Sequence, residues 1–153
     1  MKYDVIVIGA GSGGLNIASF MNKAGFKVLL IDKSDKSIGG DCLNFGCVPS
    51  KALIHVAKII HNSNLSKDFG LKINGYVNMK KVKDYIKQKQ EFIREHENAS
   101  WFRKQGIDVK LGEAEFFGKN QVKVNKKVFD AKKIVIATGS HPLYPKIKSL
   151  NQR

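Results

Sequence analysis

The feature that most constrains the fold is a glycine-rich turn between an apolar strand and a helix near the N-terminus. The run Tyr3–Ile8 is short, apolar and rich in β-branched residues, which is typical of a buried parallel strand. The turn Gly9–Gly14 follows, and residues 15–23 have helical spacing that ends before Gly25. A second apolar run, Lys27–Ile31, completes a strand–helix–strand unit of the kind that builds parallel sheets.

The rest of the chain predicts further elements of the same α/β class. Val48–His61 indicates a helix, and 79–103 indicates a long amphipathic helix with a basic outer face. Five short runs predict strands: Ile107–Leu111, Glu113–Phe117, Gln121–Val124, Lys127–Phe129 and Lys133–Ala137. The middle three are separated by turn residues and predict a small antiparallel meander beside the parallel sheet. Residues 33–46 and 62–76 are predicted as connections.

Gly9, Gly11 and Gly14 have the G-x-G-x-x-G spacing of a dinucleotide-binding turn. In such a turn the first glycine permits the bend, the second lets a pyrophosphate approach, and the third lets the helix pack on the strand. The phosphates then lie at the helix N-terminus, beside free N–H groups and a partial positive charge. Asp32 ends the second strand 18 residues after Gly14, and its carboxylate suits ribose hydroxyls. An ordinary strand–helix turn with an exposed Asp32 is the alternative.

Cys42 and Cys47 are the two cysteines of the chain. They lack the second pair of ligands that a zinc site needs, so we predict no metal site. On a straight helix their Cα atoms would lie about 8.6 Å apart, beyond the limit of about 7 Å for a disulfide. A bridge therefore needs an irregular segment, and Gly46 supplies the freedom for one. Cys47 would then lie near the start of the helix opened by Pro49, where the dipole lowers a thiol pKa. A redox couple is favoured, with two inert buried thiols as the alternative.

Charge and composition say less about function than the glycine turn and the cysteines do. The chain has 27 Lys and Arg against 13 Asp and Glu, a formal net charge of +14. Only three of these basic residues are arginines, and the lysines are dispersed, which favours a solvated surface over a nucleic-acid footprint. No apolar run approaches the roughly 18 residues of a membrane span, and the N-terminus lacks a signal-peptide pattern. We therefore expect a cytoplasmic chain without a membrane or nucleic-acid partner.

The segment around the cysteines carries a more specific signal than the glycines do. Gly40-Asp41-Cys42-Leu43-Asn44-Phe45-Gly46-Cys47-Val48-Pro49-Ser50-Lys51 resembles the redox segment of the class I pyridine nucleotide–disulfide oxidoreductases. That family includes dihydrolipoamide dehydrogenase, glutathione reductase and mercuric reductase. Two later blocks, Gly112–Ala114 and Ala137–Gly139, match the family in the right order. The resemblance implies that residues 1–153 are the N-terminal portion of a Rossmann-like FAD-binding domain, without the NAD(P)-binding and dimerisation domains.

The resemblance also implies a role for each matching residue. Cys42 would attack the substrate, Cys47 would lie against the flavin, and the Lys51 ammonium would lie near the flavin N5 edge. For Lys51, a solvated first-turn lysine is the alternative. The implied FAD-binding residues are Gly9, Gly11, Ser12, Gly13, Gly14, Asp32, Lys33, Gly40, Asp41, Cys42, Lys51, Glu113, Ala114, Thr138 and Gly139.

Two residues near these blocks need separate interpretation. Many relatives have Thr where this chain has Asp41, and a carboxylate there is expected to raise the pKa of Cys42. This departure favours the mercuric-reductase-like branch. His141 is interpreted as a loop histidine, because the family's acid–base histidine belongs to the dimerisation domain.

For the parent enzyme, the resemblance implies electron flow from NAD(P)H through FAD to the cysteine pair, and then to a disulfide or a metal ion. The parent is expected to be a homodimer, and this N-terminal fragment is expected to be inactive alone. Two alternatives stay open: a stand-alone FAD- and thiol-binding module without turnover, and a basic interaction protein that reuses the fold. The substrate and the choice between NADH and NADPH stay open too.

Overall fold

The computed structural model describes residues 2–140 together with 143, 145 and 147, so His141 lies outside the described residues. The strands are β1 (Lys2–Ile8), β2 (Val28–Asp32), β3 (Asp108–Leu111), β4 (Ala114–Gly118), β5 (Gln121–Val124) and β6 (Lys127–Ile136). The helices are α1 (Ser12–Lys23), α2 (Gly40–Asn44), α3 (Cys47–Leu65), α4 (Met79–Arg94) and α5 (Ala99–Lys104). Single 3₁₀ turns cover Asp35–Ser37 and Ser66–Phe69. Within this described part, no helix is both long enough and apolar enough to traverse a bilayer.

The six strands form one sheet in the order β3-β2-β1-β6-β5-β4. β1, β2, β3 and β6 are parallel, and β4, β5 and β6 pair antiparallel. The predicted strand–helix–strand unit is confirmed, because β1 and β2 pair in parallel on either side of α1, with Ile6 opposite Leu29. The mixed α/β class with a small meander is confirmed as well.

Strands β1 and β2 are buried on both faces, which explains why their sequences are almost continuously apolar. Val7 and Leu30 pack into a cluster on one face together with Leu15, Phe102 and other residues of the flanking helices. Ile6 and Ile31 point to the opposite face, into a cluster with residues of β5 and β6. The sheet therefore separates two apolar layers, and the carboxyl ends of β1 and β2 emerge at the glycine turn.

The last two predicted strands are a single strand. β6 pairs antiparallel with β5 from Lys127 to Asp130, and its later residues pair in parallel with β1. Asn125 and Lys126 have φ values of +49° and +67°, which is the backbone of a two-residue type I′ hairpin between β5 and β6. The meander is thus continuous with the parallel sheet rather than separate from it.

The long helix predicted over 79–103 is wrong, because the structure divides it into α4 and α5. Asn98 makes the break: its side chain donates to the carbonyl of Arg94 (2.8 Å) and accepts from the N–H of Trp101 (2.8 Å). Asn98 therefore gives a hydrogen-bond donor to a carbonyl group at the end of α4 and caps the N-terminus of α5. Asp35, distant in sequence, accepts from the N–H of Ala99 at 2.7 Å and holds α5 against the end of β2.

Candidate functional site: a crevice between the glycine turn and the cysteines

The glycine turn is shaped by two close backbone approaches. Gly9 has φ +103°, and a Cβ there would lie 2.2 Å from the carbonyl oxygen of Ala137, so only glycine fits. A Cβ on Gly14 would lie 1.8 Å from the carbonyl oxygen of Gly9, so α1 packs directly on the end of β1. These are the bend and the close packing that the glycine spacing predicts. Gly11 is the N-cap residue of α1.

Asp32 ties the end of β2 to this turn. Its Oδ2 accepts from the N–H of Ala10 at 2.5 Å, and its Oδ1 accepts from the N–H of Lys33 at 2.7 Å and from the Ser37 hydroxyl. A carboxylate has about four acceptor positions, so these three bonds leave room for a further donor such as a ribose hydroxyl. The role of Ser37 is missed by sequence reasoning, since residues 33–46 were predicted as a plain connection.

The two cysteines lie on different helices. Cys42 is in the middle of α2, and Cys47 is the first residue of α3, with Gly46 before it. The Gly46 N–H donates to the carbonyl of Asp41 at 2.6 Å, which turns the chain sharply between the helices. The prediction that no regular helix runs across both cysteines is therefore confirmed, although the segment contains the short helix α2.

Gly40 brings this cysteine segment against the glycine turn. Its φ is +58°, and a Cβ there would lie 2.6 Å from the Cα of Gly11. The two backbones are therefore in contact at the starts of α1 and α2. This contact brings Ser12 and Cys42 to the same concave surface, where the Ser12 hydroxyl acts to lower the pKa of Cys42.

Both thiols are free, and Cys47 is near enough to influence the ionisation of Cys42. The pKa of Cys42 is raised, mainly by the hydrogen bond with Cys47 and further by burial and by the charge of the Cys47 thiolate. The Ser12 hydroxyl acts in the opposite direction. The direction agrees with the sequence prediction, but its cause does not, because the neighbouring thiol rather than the Asp41 carboxylate raises the pKa. Asp41 is exposed, so water screens its charge.

A crevice of about 1150 Å³ opens at the carboxyl ends of β1 and β2. The predicted residues that line it are Gly9, Gly11, Ser12, Gly13, Asp32, Lys33, Gly40, Asp41, Cys42, Glu113, Ala114, Thr138 and Gly139. Three predicted residues lie outside this lining: Gly14 is buried beneath the turn, and Cys47 and Lys51 are exposed at the start of α3. Most of the predicted set therefore meets at one concave surface.

Several lining residues are ones to which sequence reasoning assigned no binding role. They are Ser34, Lys36, Ser37, Asn44, Phe45, Glu91, Arg94 and Gly112. Glu91 and Arg94 lie on α4, whose sequence pattern predicts an amphipathic helix with a basic outer face but no binding role. No local signal distinguishes Arg94 from the lysines around it, because its position depends on how α4 packs against α2.

A second hollow of about 590 Å³ adjoins the first and shares Ser12 and Cys42 with it. Its other walls are mostly apolar and aromatic, and they include Phe92 and Trp101. Glu97 also lines it, and burial raises the pKa of this carboxyl against the opposing charge of Arg94. Cys42 can thus be reached from two sides. Among the described residues, no group of three His, Cys, Asp or Glu side chains is placed to hold a metal ion.

Comparison with known proteins identifies the family. The family model described as pyridine nucleotide-disulphide oxidoreductase matches residues 3–153. The chain belongs to this family. Two similar curated proteins are a dihydrolipoyl dehydrogenase of Mycoplasma genitalium, 39% identical over 146 residues, and a mercuric reductase of Lysinibacillus sphaericus, 34% identical over 155 residues.

The family members matched are much longer than this chain. The two alignments cover 94% and 99% of the chain but 31% and 28% of the curated relatives. A solved structure, the HOCl-induced flavoprotein disulfide reductase RclA from Escherichia coli, superimposes with a TM-score of 0.76 at 28% identity. That match covers 95% of this chain and 30% of the other. The Rossmann-like fold is therefore the one expected for the N-terminal region of the family.

Proposed function

We propose that residues 1–153 are the N-terminal part of an FAD-binding domain whose cysteine pair relays electrons in a disulfide or metal-ion reductase. The observation that carries the proposal is the backbone contact of Gly40 with Gly11, which brings the glycine turn and Cys42 to one crevice. Similar proteins named dihydrolipoyl dehydrogenase, mercuric reductase and flavoprotein disulfide reductase support it.

The crevice has the features that a flavin dinucleotide requires. Its volume of about 1150 Å³ exceeds the roughly 300–1,000 Å³ of most small-ligand clefts. The first N–H groups of the twelve-residue helix α1 point toward a diphosphate position, and Gly11 presents no side chain there. Asp32 lies at the end of β2, where it can accept from a ribose hydroxyl. These residues would hold the diphosphate and adenosine ribose of FAD.

Bound FAD would supply the hydride chemistry that links a nicotinamide to the thiols. Cys42 and Cys47 would cycle between dithiol and disulfide, and their oxidation releases two electrons and two protons. In the reduced pair the neighbouring Cys47 raises the pKa of Cys42, which favours the protonated form of Cys42. The second hollow gives a disulfide or metal-ion substrate a separate approach to Cys42. The parent would use NAD(P)H and act as a homodimer.

Flavin binding is tested by the absorbance spectrum of the purified chain after incubation with FAD and gel filtration. We expect a bound flavin spectrum, and at least a tenfold weaker affinity in Gly11→Ala. A Cβ at Gly11 meets only the Cα of Gly40, at 3.6 Å, so the fold should tolerate it, while the methyl group obstructs the diphosphate. Gly118→Ala in β4 is the matched control.

The thiol pair is tested by counting free thiols before and after oxidised glutathione is added. We expect two thiols to fall to none in the wild-type chain, with a Cys42–Cys47 disulfide identified by peptide mass spectrometry. A colourless chain with two unreactive thiols would contradict the proposal. If such a chain also bound polyanions with a steep salt dependence, the basic interaction protein would be the better interpretation.

A further inference from the structure

The linker between the two cysteines is held by a helix that is distant in sequence. The Gln90 Nε2 of α4 donates to the carbonyl oxygens of Leu43 (2.9 Å) and Asn44 (3.0 Å). One helical turn further along α4, the Arg94 guanidinium donates to the Asn44 side-chain oxygen at 2.8 Å. The segment that joins Cys42 to Cys47 is therefore bonded to α4 at three points.

These bonds supply partners that the short helix α2 cannot supply itself. The last carbonyl groups of a helix have no intrahelical N–H partner, and α2 has only five residues. The carbonyl of Asp41 accepts from the N–H groups of Phe45 and Gly46, whereas Leu43 and Asn44 present theirs to Gln90. After the buried side chain of Leu43 the linker has little packing, since Phe45 is 83% exposed. Its position therefore depends on hydrogen bonds.

We propose that Gln90 is a positioning residue that sets the equilibrium between the dithiol and disulfide forms of Cys42 and Cys47. The inference rests on the proposed redox role of the pair. A disulfide restricts the linker covalently, whereas the dithiol form is restricted only by noncovalent contacts. By ordering the linker before the bond forms, Gln90 reduces the entropy lost on oxidation and favours the disulfide.

The reaction that reports this equilibrium is exchange with oxidised glutathione. The two protein thiols and one oxidised glutathione give the Cys42–Cys47 disulfide and two reduced glutathione molecules. One S–S bond breaks, one forms, and the two thiol protons pass to glutathione, so atoms and electrons balance. The equilibrium constant is obtained from the oxidised fraction at a series of glutathione ratios, after acid quenching and alkylation.

Gln90→Glu removes the amide donor at constant shape, and Gln90→Ala removes the side chain while favouring the helix. Gln88→Glu on the exposed side of α4 is the matched control, because it makes the same charge change two residues away. We expect both Gln90 variants to lower the equilibrium constant for disulfide formation by about fivefold, the effect of one lost hydrogen bond. Gln88→Glu should leave the constant within twofold of the wild-type value. Circular dichroism checks that each variant is folded.

Two results would overturn the inference, and they differ in what else they overturn. If the wild-type chain forms the disulfide and folded Gln90 variants have the same equilibrium constant as Gln88→Glu, then Gln90 has no positioning role and the proposed function stands. If the wild-type chain forms no Cys42–Cys47 disulfide at any glutathione ratio, the proposed redox pair fails together with the inference. Should Gln90→Glu fold poorly, Gln90→Ala decides between these results.

Discussion

At the scale of single residues, the chemistry of the crevice depends on the ionisation of Cys42. Its two neighbours Cys47 and Ser12 shift the pKa of Cys42 in opposite directions. The effect of Cys47 is larger, so the pKa of Cys42 is raised. The protonated form of Cys42 is therefore favoured by its surroundings.

Replacing Cys47 should make Cys42 reactive at lower pH. We expect Cys47→Ala to shift the alkylation profile of Cys42 down toward the ordinary thiol range. The change removes the neighbouring thiol whose interactions raise the pKa of Cys42. Cys47→Ser, which keeps a hydroxyl but no ionisable group, should give an intermediate profile. The measurement is the rate of iodoacetamide reaction at Cys42 against pH, assigned by peptide mass spectrometry.

The linkage to folding has a defined sign. Because the raised pKa belongs to the folded state, the contribution of Cys42 to stability is complete below the ordinary thiol pKa and is lost as the pH rises through the raised value.

An alkylation profile of Cys42 that is identical in the wild-type chain and in Cys47→Ala would show that the two thiols do not interact.

At the scale of elements, the crevice exists because α1 lies directly on the end of β1. Gly14 makes this contact, and the Gly9 carbonyl oxygen occupies the space that a side chain would need. The neighbouring Gly13 is in the same helical turn, yet a Cβ there would meet no described atom within 4 Å. Alanine is equally favourable for the helix at both positions, but only at Gly14 does its methyl group overlap another atom. A comparison of the two alanine variants therefore measures the cost of that overlap.

We expect Gly14→Ala to lower the free energy of unfolding by about 1–3 kcal/mol, because the added methyl group overlaps the carbonyl and forces α1 away from β1. Gly13→Ala should instead be neutral or stabilising by up to about 1 kcal/mol, since alanine loses less backbone entropy on folding. Urea unfolding followed by circular dichroism measures both changes. Equal stability of the two variants would mean that α1 and β1 are not in the contact described.

At the scale of the whole molecule, the six-stranded sheet brings together crevice residues that are far apart in the sequence. The glycine turn follows β1, Asp32 ends β2, Gly112 follows β3 and Thr138 comes after β6, so parallel strand ends meet at one edge. The sequence contains a single G-x-G-x-x-G turn, Gly9–Gly14, and the proposal assigns it to FAD. A separate nicotinamide site is therefore not expected within these 153 residues.

The 153-residue chain saturated with FAD should accordingly reduce a dye with NAD(P)H no faster than the same concentration of free FAD. The reason is that no second glycine turn is available to hold the nicotinamide dinucleotide near the flavin. Stopped-flow or steady-state dye absorbance measures the rate, with Cys42→Ser as a control that retains the crevice. Substantial turnover by the wild-type chain would contradict the assignment of residues 1–153 to an FAD-binding portion alone.

Much of the fold could be predicted because the decisive patterns are local. A strand buried on both faces must be apolar at nearly every position, and Val5–Ile8 and Val28–Ile31 meet this condition. The positive φ of Gly9 and the contact of Gly14 with the Gly9 carbonyl oxygen are likewise local, whereas the contact of Gly9 with Ala137 is not. If Cys42 and Cys47 are to form a disulfide, helix geometry requires a break between them.

What only the tertiary structure decided involves partners that are far apart in sequence. Helices α4 and α5 separate because Asn98 bonds in both directions and Asp35, 64 residues from Ala99, accepts its N–H. Gln90 looks like one polar residue among many on α4, and its bonds to the cysteine linker arise only when that helix packs on α2. Periodicity specifies which face of a helix is buried, but it carries no information about which distant carbonyl group that face will meet.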